Sequence, residues 1–398
     1  MLDVSDELKE KLLYNSVGRR LILRFPDDDF EISGENILSE SFELTQSIME
    51  KDELVLGGGI VGQMSVKVIN VNAELTDKKV QAFLVNDYID SEELYPSDDL
   101  FPSDNIIPGF VFGSTEIQLF TGKIDSAKRQ QNRAIREIIA FDWLYETNNN
   151  AIYNGFYGFY QYDNKTPALI DFAQAWADIP NYKKEELWMF NKDTKLSFTD
   201  KDVVNASSNA NITTGSIISA YFELNSAFAY VNSKGELKGA QVWREGAKVE
   251  EISKYKSLNF EDYETADITN IRFPYSDKSV FSYGIDADDK SSYVSKNCIT
   301  KYCSDIGTLV TNFWKTGSNI YNKIFYGAYR YRPFKAELFG YFWLEPGDKV
   351  KIATGYEDVP YVESFIHSRT IKGINGMRTI IEAKGKKYFG KEEKTYNG

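Results

Sequence analysis

The chain has 398 residues, more than a single hydrophobic core usually accommodates, so two or three domains are expected. A hydrophobic fraction of 42% excludes wholesale disorder, and 26 Tyr and 26 Phe favour a β-rich fold, since aromatic residues suit half-buried pleated surfaces. The 59 acidic and 46 basic residues leave a net charge of −13, which argues against specific nucleic-acid binding, because that binding depends on cation–phosphate contacts.

The start of the chain and its two cysteines indicate synthesis in a reducing cytoplasm. The first residues lack the basic and apolar regions of a signal peptide, and no run approaches the ~20 apolar residues of a membrane span. Cys298 and Cys303 lie on a predicted helix, where they point in different directions, and two thiols cannot form a disulfide scaffold. We therefore expect neither secretion by the usual route nor membrane insertion by this chain.

Residues 1–165 are predicted to form a first small β-barrel. An N-terminal helix is indicated by Val4, Leu8, Leu12 and Leu13, and a hairpin by two apolar runs around Pro26 and the aspartates at 27–29. Further strands are predicted at 37–48, 54–71, 79–85, 109–120 and 133–144, with a glycine bend at 57–59, an exposed acidic loop at 87–104 and a turn at 121–123. Several curled strands in one stretch are typical of a barrel.

Residues 166–265 are predicted to form a small helix and hairpin domain. Thr166 and Pro167 resemble a helix start, and an apolar stripe continues to Trp176. A second helix is predicted near 214–224, followed by strands at 228–231 and 237–242 around a turn at 232–235.

Residues 266–398 are predicted to form a second β-barrel with one long helix. Strands are predicted at 268–273, 280–283, 328–342, 349–353, 362–371 and 377–383, and the helix at 299–314. A glycine-bearing connection at 372–376 joins the last two strands. The predicted fold class is therefore β-rich α+β, with two barrels plus a small helix–hairpin domain.

The residue types of common catalytic and metal sites are scarce. His367 is the only histidine and lies in an alternating strand, where its neighbours Ser364 and Ser368 fall on the opposite face, so a strand or interface role is favoured over catalysis. Two cysteines and one remote histidine cannot supply a zinc site. The acidic groups at 27–29, 98–99 and 286–289 lack a calcium-loop pattern and are interpreted as solvated turns, with calcium left as an alternative.

Glycoside hydrolysis or carbohydrate binding is the serious alternative function. It needs only two suitably separated carboxylates, and the six tryptophans could line a sugar groove. Scattered tryptophans more often fill cores and interfaces. The tryptophans are Trp143, Trp176, Trp188, Trp243, Trp314 and Trp343.

Several segments, in order, resemble the hub proteins of bacteriophage tail tips and baseplates, including the N-terminal hub region of tail-associated lysins. Residues 340–350 contain a strand–turn–strand signature ending in Glu345, Pro346, Gly347 and Asp348. Residues 365–374, with Arg369 and Gly373, and 379–385, with Gly385, resemble the closing hairpin of the same barrel. Residues 214–237 are similar to a central helix–hairpin module, and 119–124, with Gly122, to the exit strand of a first barrel.

The resemblance implies two barrels related to the tail-tube fold and a trimer whose six barrels form a pseudo-six-fold ring. Such a hub would adapt the six-fold tail tube and distal tail protein ring to a three-fold tip, with a tape-measure protein and a tip fibre or lysin as further partners. It would form part of the DNA conduit without binding DNA specifically, need no cofactor and have no enzymatic activity. Its expected location is the virion tail tip, after synthesis in the bacterial host cytoplasm.

Overall fold

The computed structural model describes residues 2, 4–14, 16–48, 60–93, 109–132, 134–147, 227–240, 248–265, 268–276, 279–284, 297–300, 331–374 and 376–385. Within these ranges the chain is β-rich, with few helices and mostly antiparallel strand pairs, which confirms the β-rich part of the predicted fold class. The helices predicted at 166–176 and 214–224 and the glycine bend at 57–59 lie outside the described residues.

The predicted N-terminal helix and the hairpin after it are confirmed. Helix α1 spans Asp6–Tyr14, and strands β1 (Ser16–Phe25) and β2 (Phe30–Ile32) form the predicted hairpin. Two short 3-10 helices follow: Gly34–Asn36 precedes the next predicted strand, and Ser39–Ser41 lies in its first part. Only its second part is extended, as β3 (Glu43–Ser47).

Of the next four strands, the second and third extend beyond their predicted bounds, while the first and fourth lie within theirs. The four strands are β4 (Gln63–Ile69), β5 (Lys79–Glu93), β6 (Gly109–Arg129) and β7 (Ile135–Phe141), followed by the short helix α2 (Leu144–Thr147). β5 extends to Glu93, so the first part of the predicted acidic loop is strand, while residues 94–108 lie outside the described residues. The turn predicted at 121–123 was wrong, because β6 runs through it, paired with β5 and β7 on its two sides.

The middle of the chain contributes a hairpin and two strands that pair with later ones. β8 (Phe228–Val231) and β9 (Leu237–Ala240) form the predicted hairpin. β10 (Val249–Ile252) and β11 (Ser257–Phe260) pair with strands from the last third of the chain.

Three strands form a separate small sheet. β12 (Ile268–Ser276) and β13 (Ser279–Gly284) match the predicted strands, and β14 (Asn297–Thr300) pairs with β12 in parallel. Cys298 and Ile299 therefore lie on a strand, which contradicts the helix predicted for them. The rest of that predicted helix, with Cys303, lies outside the described residues.

The described residues from 331 onward supply five further strands. They are β15 (Phe334–Phe339), β16 (Lys349–Ala353), β17 (Tyr361–Phe365), β18 (Ser368–Lys372) and β19 (Arg378–Ala383). The single strand predicted at 362–371 was wrong. Ile366 and His367 interrupt it, and β17 pairs with β16 in one sheet while β18 pairs with β19 and β3 in another. The β18–β19 hairpin is as predicted.

One eleven-stranded sheet joins the beginning and the end of the chain. Its strand order is β11-β15-β19-β18-β3-β4-β7-β6-β5-β1-β2. We call β1–β7 the first-half strands and β11, β15, β18 and β19 the second-half strands; the two sets meet where β3 pairs with β18. The other sheets are β10-β16-β17, β13-β12-β14 and β8-β9, and no closed barrel forms among the described strands.

The buried apolar side chains form one core cluster that draws on both halves and on the β8–β9 hairpin. Alternation explains its composition, since β4 and β7 each bury every second residue. Neither described helix has the length and apolar character needed to span a membrane.

Candidate functional site

The seam between the two halves is an antiparallel pairing of β3 and β18. Its register runs from Glu43 opposite Lys372 to Ser47 opposite Ser368, and the end residues Lys372 and Glu43 form an exposed ion pair of 3.2 Å. At the other end, the Ile48 amide donates to the His367 carbonyl at 2.8 Å. The backbone ladder therefore continues across strands that lie more than 300 residues apart in the chain.

Arg369 lies within this seam, opposite Gln46, and is fully buried. Its Nη1 donates to the carbonyls of Phe342, at 2.9 Å, and Leu344, and its Nη2 donates to Oε1 of Gln46. Gln46 Nε2 in turn donates to the Val231 carbonyl of β8 at 3.1 Å. One guanidinium thus connects β18, β3, the segment after β15 and, through Gln46, the middle hairpin.

The signature turn at 345–348 packs beside this arginine. Gly347 has φ +90, and the Asp348 amide donates to the Glu345 carbonyl at 3.2 Å, as expected for a turn in which proline is followed by a glycine with positive φ. Asp348 closes the turn, because its Oδ2 accepts from the Glu345 amide at 2.7 Å. The Gly347 amide also donates to the Ile366 carbonyl at 2.7 Å, which fixes the turn against the end of β17.

Charges of both signs meet at this point. Burial lowers the pKa of Arg369, and the carboxylates of Glu345 and Asp348 oppose that shift. Burial also raises the pKa of Asp348 to about 6, with the nearby Glu345 acting in the same direction. The pKa of Tyr230 is raised well above its usual value by burial and then by Glu345 and Asp348. We call Gln46, Tyr230, Glu345, Asp348 and Arg369 the joint.

The β8–β9 hairpin is fixed to the first half by its turn. Trp143 Nε1 donates to the Gly235 carbonyl at 3.0 Å, and Thr121 Oγ1 donates to the Ser233 carbonyl at 2.9 Å. Inside the turn, Asn232 Oδ1 accepts from the amides of Lys234 and Glu236. All four residues of β8 are buried, so the hairpin is part of the core.

The corner that positions Trp143 is built on a buried carboxylate. Asp142 Oδ2 accepts from the Gly62 amide at 2.6 Å and Oδ1 from the Leu144 amide at 3.0 Å, which caps α2. A Cβ on Gly62 would lie 2.8 Å from Asp142 Oδ2, so this close approach requires glycine. Burial raises the pKa of Asp142 to about 7 despite these two amide donors.

The N-terminal helix is attached to the second half of the chain. Lys9 Nζ on α1 forms a largely buried ion pair of 2.8 Å with Glu250 on β10, and Trp343 Nε1 donates to the same carboxylate at 2.9 Å. The Leu2 amide donates to the Trp343 carbonyl at 2.8 Å. The first and last parts of the chain are thus linked a second time, away from the seam.

The eight signature residues from the sequence analysis do not all meet. Glu345, Pro346, Gly347, Asp348 and Arg369 come together at the joint. The other three lie apart. Gly373, in the β18–β19 turn, has φ +72 and donates its amide to the Phe42 carbonyl. Gly122 lies within β6 against Phe141, and Gly385 lies against Thr265 and Tyr331.

His367 is a fully buried residue between β17 and β18. Its Nδ1 accepts from the Lys384 amide at 3.0 Å, and the Tyr331 ring packs edge-on at 5.0 Å. Burial lowers its pKa to about 3, so the ring is neutral. Its Nε2 and the Ser364 hydroxyl have no hydrogen-bond partner among the described residues, so no serine–histidine pair is assembled there.

The structure describes some of the tryptophans and acidic groups considered as sugar or calcium sites. Trp143 and Trp343 are buried and their indole N–H groups are bonded, so neither lines an exposed sugar groove; the other four tryptophans lie outside the described residues. Asp28 forms an ion pair with Lys78 at 2.6 Å in the β1–β2 turn. Where the structure describes the chain, no three His, Cys, Asp or Glu residues cluster as metal ligands would.

Sequence reasoning missed Gln46, Tyr230 and Asp142. Gln46 could have been found, because it shares the buried face of β3 with Leu44, and a polar residue at a core position needs a hydrogen-bond partner. Tyr230 and Asp142 carry no comparable local signal. Their partners are contributed by strands that are remote in the sequence.

The fold and the joint define a β-sheet scaffold whose two halves share one sheet and one buried polar network. No protein-family model and no curated protein matches the sequence. Among solved structures, the tail protein from Neisseria meningitidis MC58 aligns with a TM-score of 0.51 and 12% identity, over 92% of this chain and 97% of that one. This likeness shows a shared fold.

Two further solved structures are similar over the same share of this chain, 92%. The 43 kDa tail protein of prophage MuSo2 from Shewanella oneidensis aligns with a TM-score of 0.49 and 8% identity, over 98% of its length. Prophage tail protein gp18 from Listeria monocytogenes EGD-e aligns with a TM-score of 0.45 and 10% identity, over 95% of its length.

Proposed function

We propose that this chain is a structural subunit of a phage tail tip, a hub that assembles as a ring of three copies. The observation that carries the proposal is the eleven-stranded sheet, which passes through both halves of the chain. It ends in β2 and β11, whose outer edges have no partner among the described strands. The shared fold with a protein described as a tail protein supports the same function. In a trimer, the two halves would become the two barrels, with the division at 1–165, 166–265 and 266–398.

The joint suits this function, because a ring closes only when each subunit holds its two halves at a fixed angle. Arg369 and Gln46 fix β18 to β3, and Trp143 fixes the middle hairpin to the first half. The core is shared by all three parts, so the halves cannot rotate without breaking buried contacts. A rigid subunit of this kind is suited to joining a six-fold ring to a three-fold tip, and that role needs no catalytic cleft.

The charge of the chain supports a role as the wall of a DNA conduit. A net charge of −13 repels phosphates at long range, so DNA could pass without adhering. We therefore propose passing DNA, a distal tail protein ring, a tape-measure protein and a tip fibre or lysin as neighbours, with no specific DNA binding. Fluorescence anisotropy with labelled duplex DNA at low salt should detect no binding, and saturable binding would contradict the conduit role.

The assembly itself is tested by light scattering on the purified chain, combined with negative-stain electron microscopy. We expect a mass three times the 45.5 kDa of one chain and ring-shaped particles with a central hole. A strict monomer at the highest attainable concentration, or a trimer without a hole, would contradict the proposal.

A further inference from the structure

The direction of the two terminal strands follows from the topology of the large sheet. All ten pairings along its order, from β11 to β2, are antiparallel. Each antiparallel step reverses the strand direction, and ten reversals restore it. β2 and β11 therefore run the same way at opposite ends of one sheet, and neither has a partner on its outer edge among the described strands.

This direction determines how two copies can join in a closed ring. Neighbouring copies in a ring are related by rotation about the ring axis, and strands of a closed sheet that run along that axis keep their direction under the rotation. The outer edge of β2 in one copy then meets the outer edge of β11 in the next with both strands pointing the same way. We propose that copies join by a parallel β2–β11 pairing, in contrast to the antiparallel β3–β18 seam within each chain. The inference rests on the proposed ring.

The charges at the two edges favour the parallel direction. Asp27, Asp28 and Asp29 immediately precede β2, and Lys254 and Lys256 immediately precede β11. A parallel pairing brings these two groups to the same end of the seam. An antiparallel pairing would instead bring the aspartates beside the acidic pair that follows β11, Glu261 and Asp262, where like charges repel.

These side chains can change partners at little cost. Asp28 and Lys78 form a 2.6 Å pair, and Lys256 and Glu337 a 3.1 Å pair, but all four side chains are at least one fifth exposed. Ion pairs of this kind are each worth only ~0–1 kcal/mol. Contacts across the seam can therefore replace or extend them.

Exposed aromatic residues lie at both edges. Phe30, the first residue of β2, is 37% exposed and packs on Phe25 at 5.3 Å. Tyr356 is 63% exposed and meets the ring of Phe260, the last residue of β11, edge-on at 6.2 Å. The Arg332 guanidinium lies 6.0 Å from the centre of the Phe260 ring. β2 and β11 are only three and four residues long, so these rings would supply much of the buried area.

Cysteine cross-linking between separately prepared chains tests the direction of the seam. Both native cysteines are first replaced, by Cys298→Ser and Cys303→Ser. Chains that carry Asp29→Cys are then mixed, in three separate samples, with chains that carry Lys256→Cys, Glu261→Cys or Asn132→Cys. The last position lies in the exposed β6–β7 turn, away from both edges, and is the collision control. A short thiol cross-linker should join Asp29→Cys to Lys256→Cys and to neither of the other two.

Light scattering on the same mixtures separates failure of the seam from failure of the ring. A trimer in which Asp29→Cys joins Glu261→Cys, or joins no tested partner above the collision control, overturns the parallel seam and leaves the proposed hub standing. A monomer under all conditions overturns the hub and the seam together. Melting curves of each cysteine variant show whether the fold is retained. Lys256→Cys and Glu261→Cys should melt close to the parent. Asp29→Cys and Asn132→Cys should melt slightly lower, because Asp29 has a φ of +48 and Asn132 Oδ1 accepts from the Ala134 amide.

Charge reversal gives an independent readout. The double substitution Lys254→Glu and Lys256→Glu should lower the association constant of the trimer about tenfold, the equivalent of ~1.4 kcal/mol. Adding Asp27→Lys and Asp28→Lys to the same chain should restore the trimer, because the charge pairing is restored with the signs exchanged. Persistent weakening in the fourfold variant would contradict the parallel seam.

Discussion

Gln46 and Arg369 lie directly opposite each other across the β3–β18 pairing and are bonded through their side chains, although 323 positions separate them in the sequence. Cross-strand pairs of this kind are the local unit of sheet stabilisation, and this one is buried at the point where the two halves meet. Because Arg369 also donates to the Phe342 and Leu344 carbonyls, the pair determines how the signature turn packs on the sheet.

Replacing the buried arginine should therefore be costly. Arg369→Leu leaves the Gln46 oxygen and two carbonyls without a donor and Glu345 without its nearby positive charge, and should lower the free energy of unfolding by ~3–5 kcal/mol. Arg378→Leu is the matched control, because Arg378 forms only a partly exposed ion pair with Glu337. This variant should lower the free energy of unfolding by less than ~1 kcal/mol. Urea unfolding followed by tryptophan fluorescence measures both, and equal losses would contradict the assigned importance of the joint.

Gly347 should not tolerate a side chain. Its φ of +90 is disfavoured for L-residues, so Gly347→Ala should lower the free energy of unfolding by ~1–2 kcal/mol and loosen the turn beside Arg369. Gly376→Ala is the control, because nothing lies within 4 Å of the added Cβ. It should be neutral or slightly stabilising. Similar melting temperatures for the two variants would count against a strained turn.

Trp143 should hold the β8–β9 hairpin through its indole N–H. Trp143→Phe removes the bond to the Gly235 carbonyl and leaves that oxygen buried without its donor, at a cost of ~1–3 kcal/mol. Hydrogen exchange should accelerate at the amides of residues 228–240 more than in the β1–β2 hairpin of the same sample. Tyr145→Phe, at an exposed aromatic position close by, should leave the exchange pattern unchanged.

His367 should make the fold sensitive to acid. Its pKa falls from 6.5 to about 3 on folding, so between these values the unfolded chain binds a proton that the folded chain does not. The free energy of unfolding therefore decreases as the pH falls from 6.5 to about 3, by up to ~1.4 kcal/mol per pH unit. His367→Asn, whose side-chain oxygen can still accept from the Lys384 amide, should show a smaller acid loss. An identical pH profile of unfolding would refute this assignment.

Asp142 should act in the opposite direction. Its pKa rises from 3.8 to about 7 on folding, so the folded chain keeps a proton that the unfolded chain releases. The stability from this proton is fully present below 3.8 and is lost as the pH rises through about 7. Asp142→Asn cannot titrate, so the difference in unfolding free energy between wild type and variant should change across that window. A constant difference would mean that the carboxylate is not desolvated.

The local elements could largely be read from the sequence. The β1–β2, β8–β9 and β18–β19 hairpins were predicted because turn residues separate runs of alternating apolar residues, and α1 because its apolar residues recur at helical spacing. The turn with Gly347 was also predicted, since proline followed by glycine has a strong local preference. The sequence also singled out Arg369 and the Glu345–Asp348 turn, although through a resemblance and not through their contacts.

Tertiary structure decided which strands pair and which polar groups are buried together. β6 continues through a predicted turn because β5 and β7 flank it on both sides, and the strand predicted at 362–371 divides at Ile366 and His367 because its two parts join different sheets. The alternation of apolar residues in the sequence indicates which face of a strand is buried. Strand pairing depends on contacts between segments that can be hundreds of residues apart. The pairing of Gln46 with Arg369, and the single sheet that results from it, therefore became visible only in three dimensions.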